Sequence, residues 1–528
     1  MEQAESADSF AEDSLDEKPE WFEPCGNQPK IIDFTGQSGA DVNNVYLQHC
    51  ENVEDFYALL VTDEMVQQIS DETNLYAAQK EQPNPSAREK RWVPTNKEEI
   101  RKFFGLLIWM GLVKYPSIES YWSTNVLYQI PFPSTVMSRN RFEILLTMLH
   151  FSNNETADTS DCLYKINPIV NGLNENFKKY YHPPEVLCIG QSIIPLRGRV
   201  VFRNYMKQKQ EQYGTKIFKL SCGLGYTYSV SVYCGKTYHP AVDSTPTSIA
   251  MKLCERILFK GHALYTDHWF TNLNLAKQLI VHHTHLIGTV RSNHTDNPKD
   301  VVNKQLKRGE FFAKESKDGI TFMKWNDREE MLLLSTKHSV QMEIVTSRGK
   351  LVSKPKIVVD YNSAKQSANC SDQMAAFSSP SRKSMKWYRK VAIELLLNTA
   401  VVNSYVLYRQ TTGHAMPKTK FREKLILGLT QKGATNQNTE SIPPASIASA
   451  SISSAQHPET QKKKNKHHLK KKEGVAQKVR RYCASCYSQN TKRVGRAEAR
   501  NVTKKVTTYC TQCKSQPHLC LDCFNKLH

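Results

Sequence analysis

Six cysteines crowd the last 46 residues of the chain as three C-x-x-C pairs: Cys483/Cys486, Cys510/Cys513 and Cys520/Cys523. His518 and His528 lie among and after them. A C-x-x-C turn aims two thiolates at one ion, and tetrahedral zinc takes four such ligands. Eight candidate ligands are therefore present, enough for two structural zinc ions: Cys483, Cys486, Cys510, Cys513, His518, Cys520, Cys523 and His528. The long gap after the first pair and the crowding after Cys510 predict an interleaved two-zinc arrangement rather than a single ribbon. His518 and Cys520 compete for one position. The other eight cysteines are scattered singly from Cys25 to Cys370. The N-terminus has no apolar signal-peptide core, so an intracellular chain is expected, with thiols reduced or metal-bound rather than in disulfides.

Charge points the same module at a polyanion. Lys and Arg number 71 against 51 Asp and Glu, a net charge of +20, which favours nucleic acid before membrane. The longest apolar run, Phe103 to Val113, is too short to span a bilayer and reads as a buried helix. Lys462, Lys463 and Lys464, then Lys470, Lys471 and Lys472, stand just ahead of the cysteines. Such a run reads as a phosphate-binding patch and a nuclear import signal, which makes the nucleus the expected location. Its bland alternative is a solvated linker of like charge. His282, His283 and His285 form a smaller cluster, read as a chance grouping at a helix end.

These groups must be positioned by the elements before them. Residues 1–30 read as an acidic disordered tail. Residues 31–185 carry helical spacing, as in Phe103, Leu106, Leu107 and Met110, and again in Phe142, Leu145, Leu146 and Leu149. Ile217–Leu220 and Tyr226–Tyr233, split by Gly223-Leu224-Gly225, predict a β-hairpin. Helices at 247–258 and 273–281 then alternate with strands at 263–266 and 286–290, an α/β sheet domain. The strand at 263–266 delivers Asp267 at its end. Residues 291–355 read as an insertion, Lys356–Val359 as a strand and Trp387–Arg409 as a long helix. Residues 413–480 read as a flexible basic linker, low in complexity after Gly433, before a cysteine-rich domain at 481–528.

Specific motifs run through this frame. Ile31-Ile32-Asp33-Phe34-Thr35-Gly36 opens the series. Ile194-Pro195-Leu196-Arg197-Gly198-Arg199 precedes Phe202-Arg203-Asn204-Tyr205-Met206. Later come Asp267-His268-Trp269-Phe270-Thr271, Gly288-Thr289-Val290-Arg291, Ser371-Asp372-Gln373-Met374 and Lys386-Trp387-Tyr388. In this order and spacing the chain resembles the piggyBac transposases and their domesticated, transposable element-derived relatives. The resemblance implies an RNase H-like DDE core at 186–290 and 356–412, with an insertion domain at 291–355. It further implies a helical dimerisation and DNA-binding region at 31–185 and a cysteine-rich domain that reads transposon ends. DNA contacts are expected at Arg197, Arg199 and Arg203 and along the lysine run. Terminal-repeat DNA, a second copy of the chain and chromatin proteins are the expected partners.

The resemblance also implies chemistry, and the residues argue against it. Family members cut and rejoin DNA with three aspartates holding two divalent metals. Such a pair, about 3.5–4 Å apart, stabilises both the attacking and the leaving oxygen, and magnesium asks for hard anionic ligands. The first aspartate falls on Gly190, with Gln191 beside it. The second is kept as Asp267. The third falls on Asn369, while Asp372 downstream survives. Two of three carboxylates are gone, so magnesium binding and catalysis are expected to be lost, and Asp267 is expected to remain as a polar cap. The competing readings are a transposase with ligands rearranged from Asp372, Asp360 or Glu185, and a zinc-module adaptor for chromatin proteins.

Overall fold

The computed structural model describes residues 19–25, 32–80, 92–158, 160–195, 204–205, 213–233, 245–347, 349–376, 379–380, 385–431, 467–472, 479–513 and 515–527. The chain divides into two compact units, Met1–Asn438 and Thr439–His528.

The longer helices of the first unit are α1 (Val53–Leu60), α2 (Asp63–Gln79), α3 (Lys97–Leu112), α4 (Arg139–Met148), α5 (Asn167–Lys179), α6 (Pro246–Cys254), α7 (Leu273–Val281), α8 (Lys356–Ala376), α9 (Trp387–Thr412) and α10 (Lys418–Gln431). Their starts follow local capping chemistry. The Asn96 side chain accepts from the Glu99 amide at 2.9 Å and opens α3. Thr62, Ser138 and Asn272 do the same for α2, α4 and α7. Phe103, Leu106, Leu107 and Met110 are buried, as their spacing predicts. Gly105 lets α3 and α10 approach closely, since a Cβ there would stand 2.7 Å from Thr430 Cγ2. Helix α9 is long and apolar enough to cross a membrane, but 94% of its apolar window is buried inside the protein. It is the core helix of this unit, with a π-helical turn at Leu395–Thr399.

Ten strands form the central sheet: β1 (Trp21–Phe22), β2 (Val186–Pro195), β3 (Asn204–Tyr205), β4 (Tyr213–Cys222), β5 (Thr227–Tyr233), β6 (Ala263–Thr266), β7 (His285–Thr289), β8 (Phe311–Ser316), β9 (Thr321–Asn326) and β10 (Glu330–Ser335). The order is β1-β8-β9-β10-β7-β6-β2-β4, with β3 and β5 sharing the outer edge of β4. Strands β2, β4 and β5 are antiparallel neighbours, whereas β6 and β7 run parallel to β2. An antiparallel meander continued by two parallel strands is the RNase H-like core that the resemblance implied.

Four expectations change. Residues 291–355 do not stand apart as a whole, because β10 pairs antiparallel with β7 and so β8–β10 extend the core sheet. Only β11 (Met342–Ser347) and β12 (Lys350–Pro355) form a separate hairpin. Lys356–Val359 starts helix α8, not a strand; buried Ile357, Val358, Tyr361 and Ala364 repeat at helical spacing. Helix α10 lies in the stretch assigned to the linker, where Phe421, Leu425, Ile426 and Leu429 form a buried stripe. The acidic tail includes a strand, since β1 pairs with β8 and the Trp21 indole donates to the Asp296 carbonyl at 3.2 Å. One thiol also departs from expectation: Cys162 is disulfide-bonded.

The second unit is small. β13 (Leu469–Lys471) pairs with β16 (Thr508–Cys510), and β14 (Arg481–Tyr482) pairs with β15 (Lys505–Val506). Helix α11 (Ala484–Val502) is broken at Gly495, whose φ is 81°, and α12 (Leu521–Leu527) ends the unit. Lys470 and Lys471, expected in a flexible linker, thus lie in a strand. Main-chain pairing with Thr508–Cys510 holds them, and Leu469 packs against the cysteine cluster.

Candidate functional site

Strand register brings the triad positions of β2 and β6 side by side. Val186, Leu187 and Cys188 pair with Ala263, Leu264 and Tyr265. The pairing ends there; Gly190 lies two residues beyond Cys188 on β2, and Asp267 two residues beyond Tyr265, just past the end of β6. A Cβ added at Gly190 would meet nothing within 4 Å, so the position is bare and open. Helix α8 crosses this sheet, and the Cys188 thiol donates to the Ala364 carbonyl at 3.1 Å. Asn369 lies five residues further along α8, a rise of about 7.5 Å. The side chains of Asn369 and Asp372 lie outside the described residues.

Asp267 is tied into its own turn. Its Oδ1 accepts from the Trp269 amide at 3.0 Å, and its carbonyl accepts from the Phe270 and Thr271 amides at 3.1 Å. The Thr271 hydroxyl donates to the same carbonyl at 2.9 Å. Burial, with Arg291 and Lys365 acting the same way, lowers the pKa of neighbouring His268 against the opposing charge of Asp267. Two cations therefore stand near this turn. No group of three possible metal ligands among the described residues includes Asp267. Two of the alternative carboxylates are engaged: Asp360 Oδ2 lies 2.8 Å from His338 Nε2, and Glu185 pairs with Lys337.

The cysteines behave differently. Cys483, Cys486, Cys520 and Cys523 converge, their sulfurs all within 4.8 Å of one another. Cys483–Cys520 is 3.7 Å, Cys486–Cys520 3.8 Å and Cys486–Cys523 3.3 Å. Zinc–sulfur bonds of about 2.3 Å place tetrahedral sulfurs roughly 3.8 Å apart. The group therefore fits a tetrahedral thiophilic metal. Burial would raise the Cys483 thiol, but hydrogen bonds from the Cys486 and Cys520 amides and from neighbouring thiols bring it down to about 7. The same shared hydrogen bonds raise the Cys486 and Cys520 thiols, so the metal-free group favours a thiolate at Cys483.

A second group joins Cys510 and Cys513 to His467, whose Nδ1 lies 3.4 Å and 3.6 Å from the two sulfurs. The two groups alternate along the chain. Sequence reading missed His467 because it sits inside the lysine run, two residues ahead of β13. Cys520 takes the contested position and His518 does not. The His518 carbonyl accepts from the Ala484 amide at 2.8 Å, while its buried Nε2 makes no hydrogen bond. His528 lies outside the described residues. His282, His283 and His285 do not converge: His282 Nδ1 lies 2.7 Å from the Gln278 carbonyl, and His285 Nδ1 3.1 Å from that of Thr336.

Lys470, Lys471 and Lys472 are exposed beside the second metal group. Arg197, Arg199, Arg203, Lys462, Lys463 and Lys464 lie outside the described residues. From Thr439 to His528 the chain carries 18 Lys and Arg against 5 Asp and Glu, so this unit holds most of the positive excess.

A family model described as Transposase IS4 matches residues 53–405. Among curated proteins, the chain is 24% identical to human PiggyBac transposable element-derived protein 2 over 412 residues, 75% of this chain and 66% of that protein. It is 23% identical to human PiggyBac transposable element-derived protein 3 over 386 residues, 70% of this chain and 63% of that protein. The chain thus spans about two thirds of the length of these relatives. The cryo-EM structure of a piggyBac transposase synaptic complex with hairpin DNA superposes with a TM-score of 0.66 at 24% identity, covering 75% of this chain and 82% of that one. That likeness is one of fold. With the family match spanning most of the helical region and every strand of the sheet but β1, the chain belongs to the Transposase IS4 family, as a transposase-derived member of the piggyBac type.

Proposed function

We propose that this chain is a nuclear DNA-binding protein that descends from a transposase and no longer cuts DNA. The observation that carries this reading is the bare Gly190 position on β2, the strand that pairs with the one leading to Asp267. Two-metal phosphoryl chemistry needs converging carboxylates. Glycine supplies no ligand, and asparagine at position 369 supplies only a neutral carbonyl. Glu185 lies five residues up β2, roughly 16 Å away along an extended strand, and is paired with Lys337. Asp360 is held by His338. Loss of a transition-state interaction commonly costs several kcal/mol, and two losses at one centre leave no assembled site. The described residues do not fit a magnesium pair.

DNA binding rests on the other unit. The Cys483, Cys486, Cys520 and Cys523 group would hold a structural zinc, and His467, Cys510 and Cys513 would supply three ligands to a second. Zinc there organises a fold too small to sustain itself by apolar burial. It fixes the strand that presents Lys470 and Lys471, a surface suited to phosphate backbones. The resemblance to a transposase solved as a synaptic complex with hairpin DNA supports both DNA binding and pairing of two chains.

Binding and cleavage are to be measured together on duplexes carrying piggyBac-type terminal repeats, with magnesium or manganese present. A retarded complex and intact strands are expected. Failure to bind, or metal-dependent nicking, would each refute one half of the reading.

A further inference from the structure

The N-terminal end of α9 lies in a group of cations and aromatic rings that the transposase-derived chemistry does not use. Arg389 is 5% exposed; its Nε donates to the Leu149 carbonyl at 2.8 Å, and its buried Nη2 has no hydrogen-bond partner among the described residues. A buried guanidinium nitrogen without a partner is costly and points to a missing acceptor. The guanidinium lies 6.0 Å from the Tyr76 ring centre and 5.2 Å from that of Tyr388. Lys386 Nζ lies 5.8 Å from the Tyr76 ring, and Lys165 Nζ lies 5.4 Å from the Tyr388 ring. Three cations thus surround two adjacent rings. Among the described residues, no acid pairs with Lys165, Lys386 or Arg389.

Two further observations agree. Lys386 is the N-cap of α9 and gives it no side-chain cap, so the first-turn amides and the positive end of a long helix add to the same field. His150 sits inside the group, stacked on Tyr76 at 4.2 Å and with Nδ1 3.2 Å from the Tyr388 hydroxyl. Burial pushes this imidazole down to about 4, and the charges of Lys165, Arg389 and Lys386 act in the same direction.

We infer that Lys165, Lys386, Arg389 and the N-terminal amides of α9 form a site for a phosphate oxyanion, supplied by a nucleic-acid backbone. The inference rests on the DNA-binding reading above and places one backbone contact in the first unit, apart from the cysteine-rich unit. A phosphate offers the Arg389 nitrogen an acceptor and sets one negative charge among the three cations. Lys386 is exposed and Lys165 half-buried, so an extended polyanion can reach them from solvent.

The test is duplex binding by the full chain against salt concentration, for the wild type and for a Lys165→Gln, Lys386→Gln double variant. Neither lysine holds an ion pair among the described residues, so the variant should fold, which its melting temperature checks. The expected result is weaker binding to matched and unmatched duplexes alike, with the log–log salt slope reduced by about 1. An unchanged slope and affinity would overturn the site. Melting in inorganic phosphate, against chloride at matched ionic strength, separates the sources of the anion. A phosphate-induced rise lost in the variant, with duplex binding untouched, would assign the site to a free anion and overturn the nucleic-acid source. A wild-type chain that binds no duplex would contradict the function proposed above; the phosphate melting then decides the site alone, and no shift overturns it.

Discussion

Gly190 and Gly288 are both sheet glycines, yet their surroundings make opposite demands. A Cβ at Gly190 meets open space, whereas one at Gly288 would stand 2.1 Å from Thr271 Oγ1 and 2.7 Å from the Thr266 carbonyl. Gly190→Asp should leave the melting temperature within a few degrees of the wild type. Gly288→Ala should destabilise by about 1–3 kcal/mol through overpacking, read by denaturant unfolding. Joined to Asn369→Asp, the Gly190→Asp change should restore manganese or magnesium binding measurable by calorimetry. No gain of binding would count against the alignment of the triad. The assignment of Gly190 to the first carboxylate position comes from the flanking motifs of the sequence. That the position is open was not legible there, since it depends on atoms from elsewhere in the fold. His467 shows the reverse difficulty: seven lysines from Lys462 to Lys472 surround it, and only folding back of β13 onto β16 reveals it beside Cys510 and Cys513.

Strands β13 to β16 are only two or three residues long, and pairs that short do not hold by themselves in water. On the proposed reading, metal ligation supplies much of their stability. Chelation should therefore abolish the cooperative signal of residues 467–527 while leaving the sheet of the first unit folded, as hydrogen exchange would resolve. Cys486→Ser should reproduce this and release zinc, which elemental analysis would count; a module unchanged by either treatment would contradict a structural metal. Helix α8 explains one failure of sequence reading. Its first residues, Ile357, Val358 and Val359, carry the β-branched signature of a strand, and packing of Ile357, Val358, Tyr361 and Ala364 on the sheet overrides that propensity. Helix α10 was hidden for another reason. The low-complexity composition that marks a linker begins only after its last turn.

Two buried histidines bear on the stability of the first unit as a whole. Burial, aided by nearby cations, takes His150 and His285 down to about 4 in the folded chain, against about 6.5 unfolded. Both are folded in the neutral form, so their contribution is complete above about pH 6.5 and is lost as pH falls toward 4. Thermal stability should decline across that window, and His150→Gln should flatten the decline. At the scale of the whole chain, net charge and cysteine spacing led to the expectation of a metal-organised, polyanion-binding protein, of which the structure shows the converging cysteines, and the motifs announced the sheet. The sharing of that sheet by β8–β10 needed tertiary pairing to be seen. The most direct test of the central claim is a strand-cleavage assay on a terminal-repeat duplex already bound by the full chain, with magnesium or manganese added. The account predicts a salt-sensitive complex whose strands remain intact. Metal-dependent nicking at the repeat end, abolished by Asp267→Ala, would contradict it.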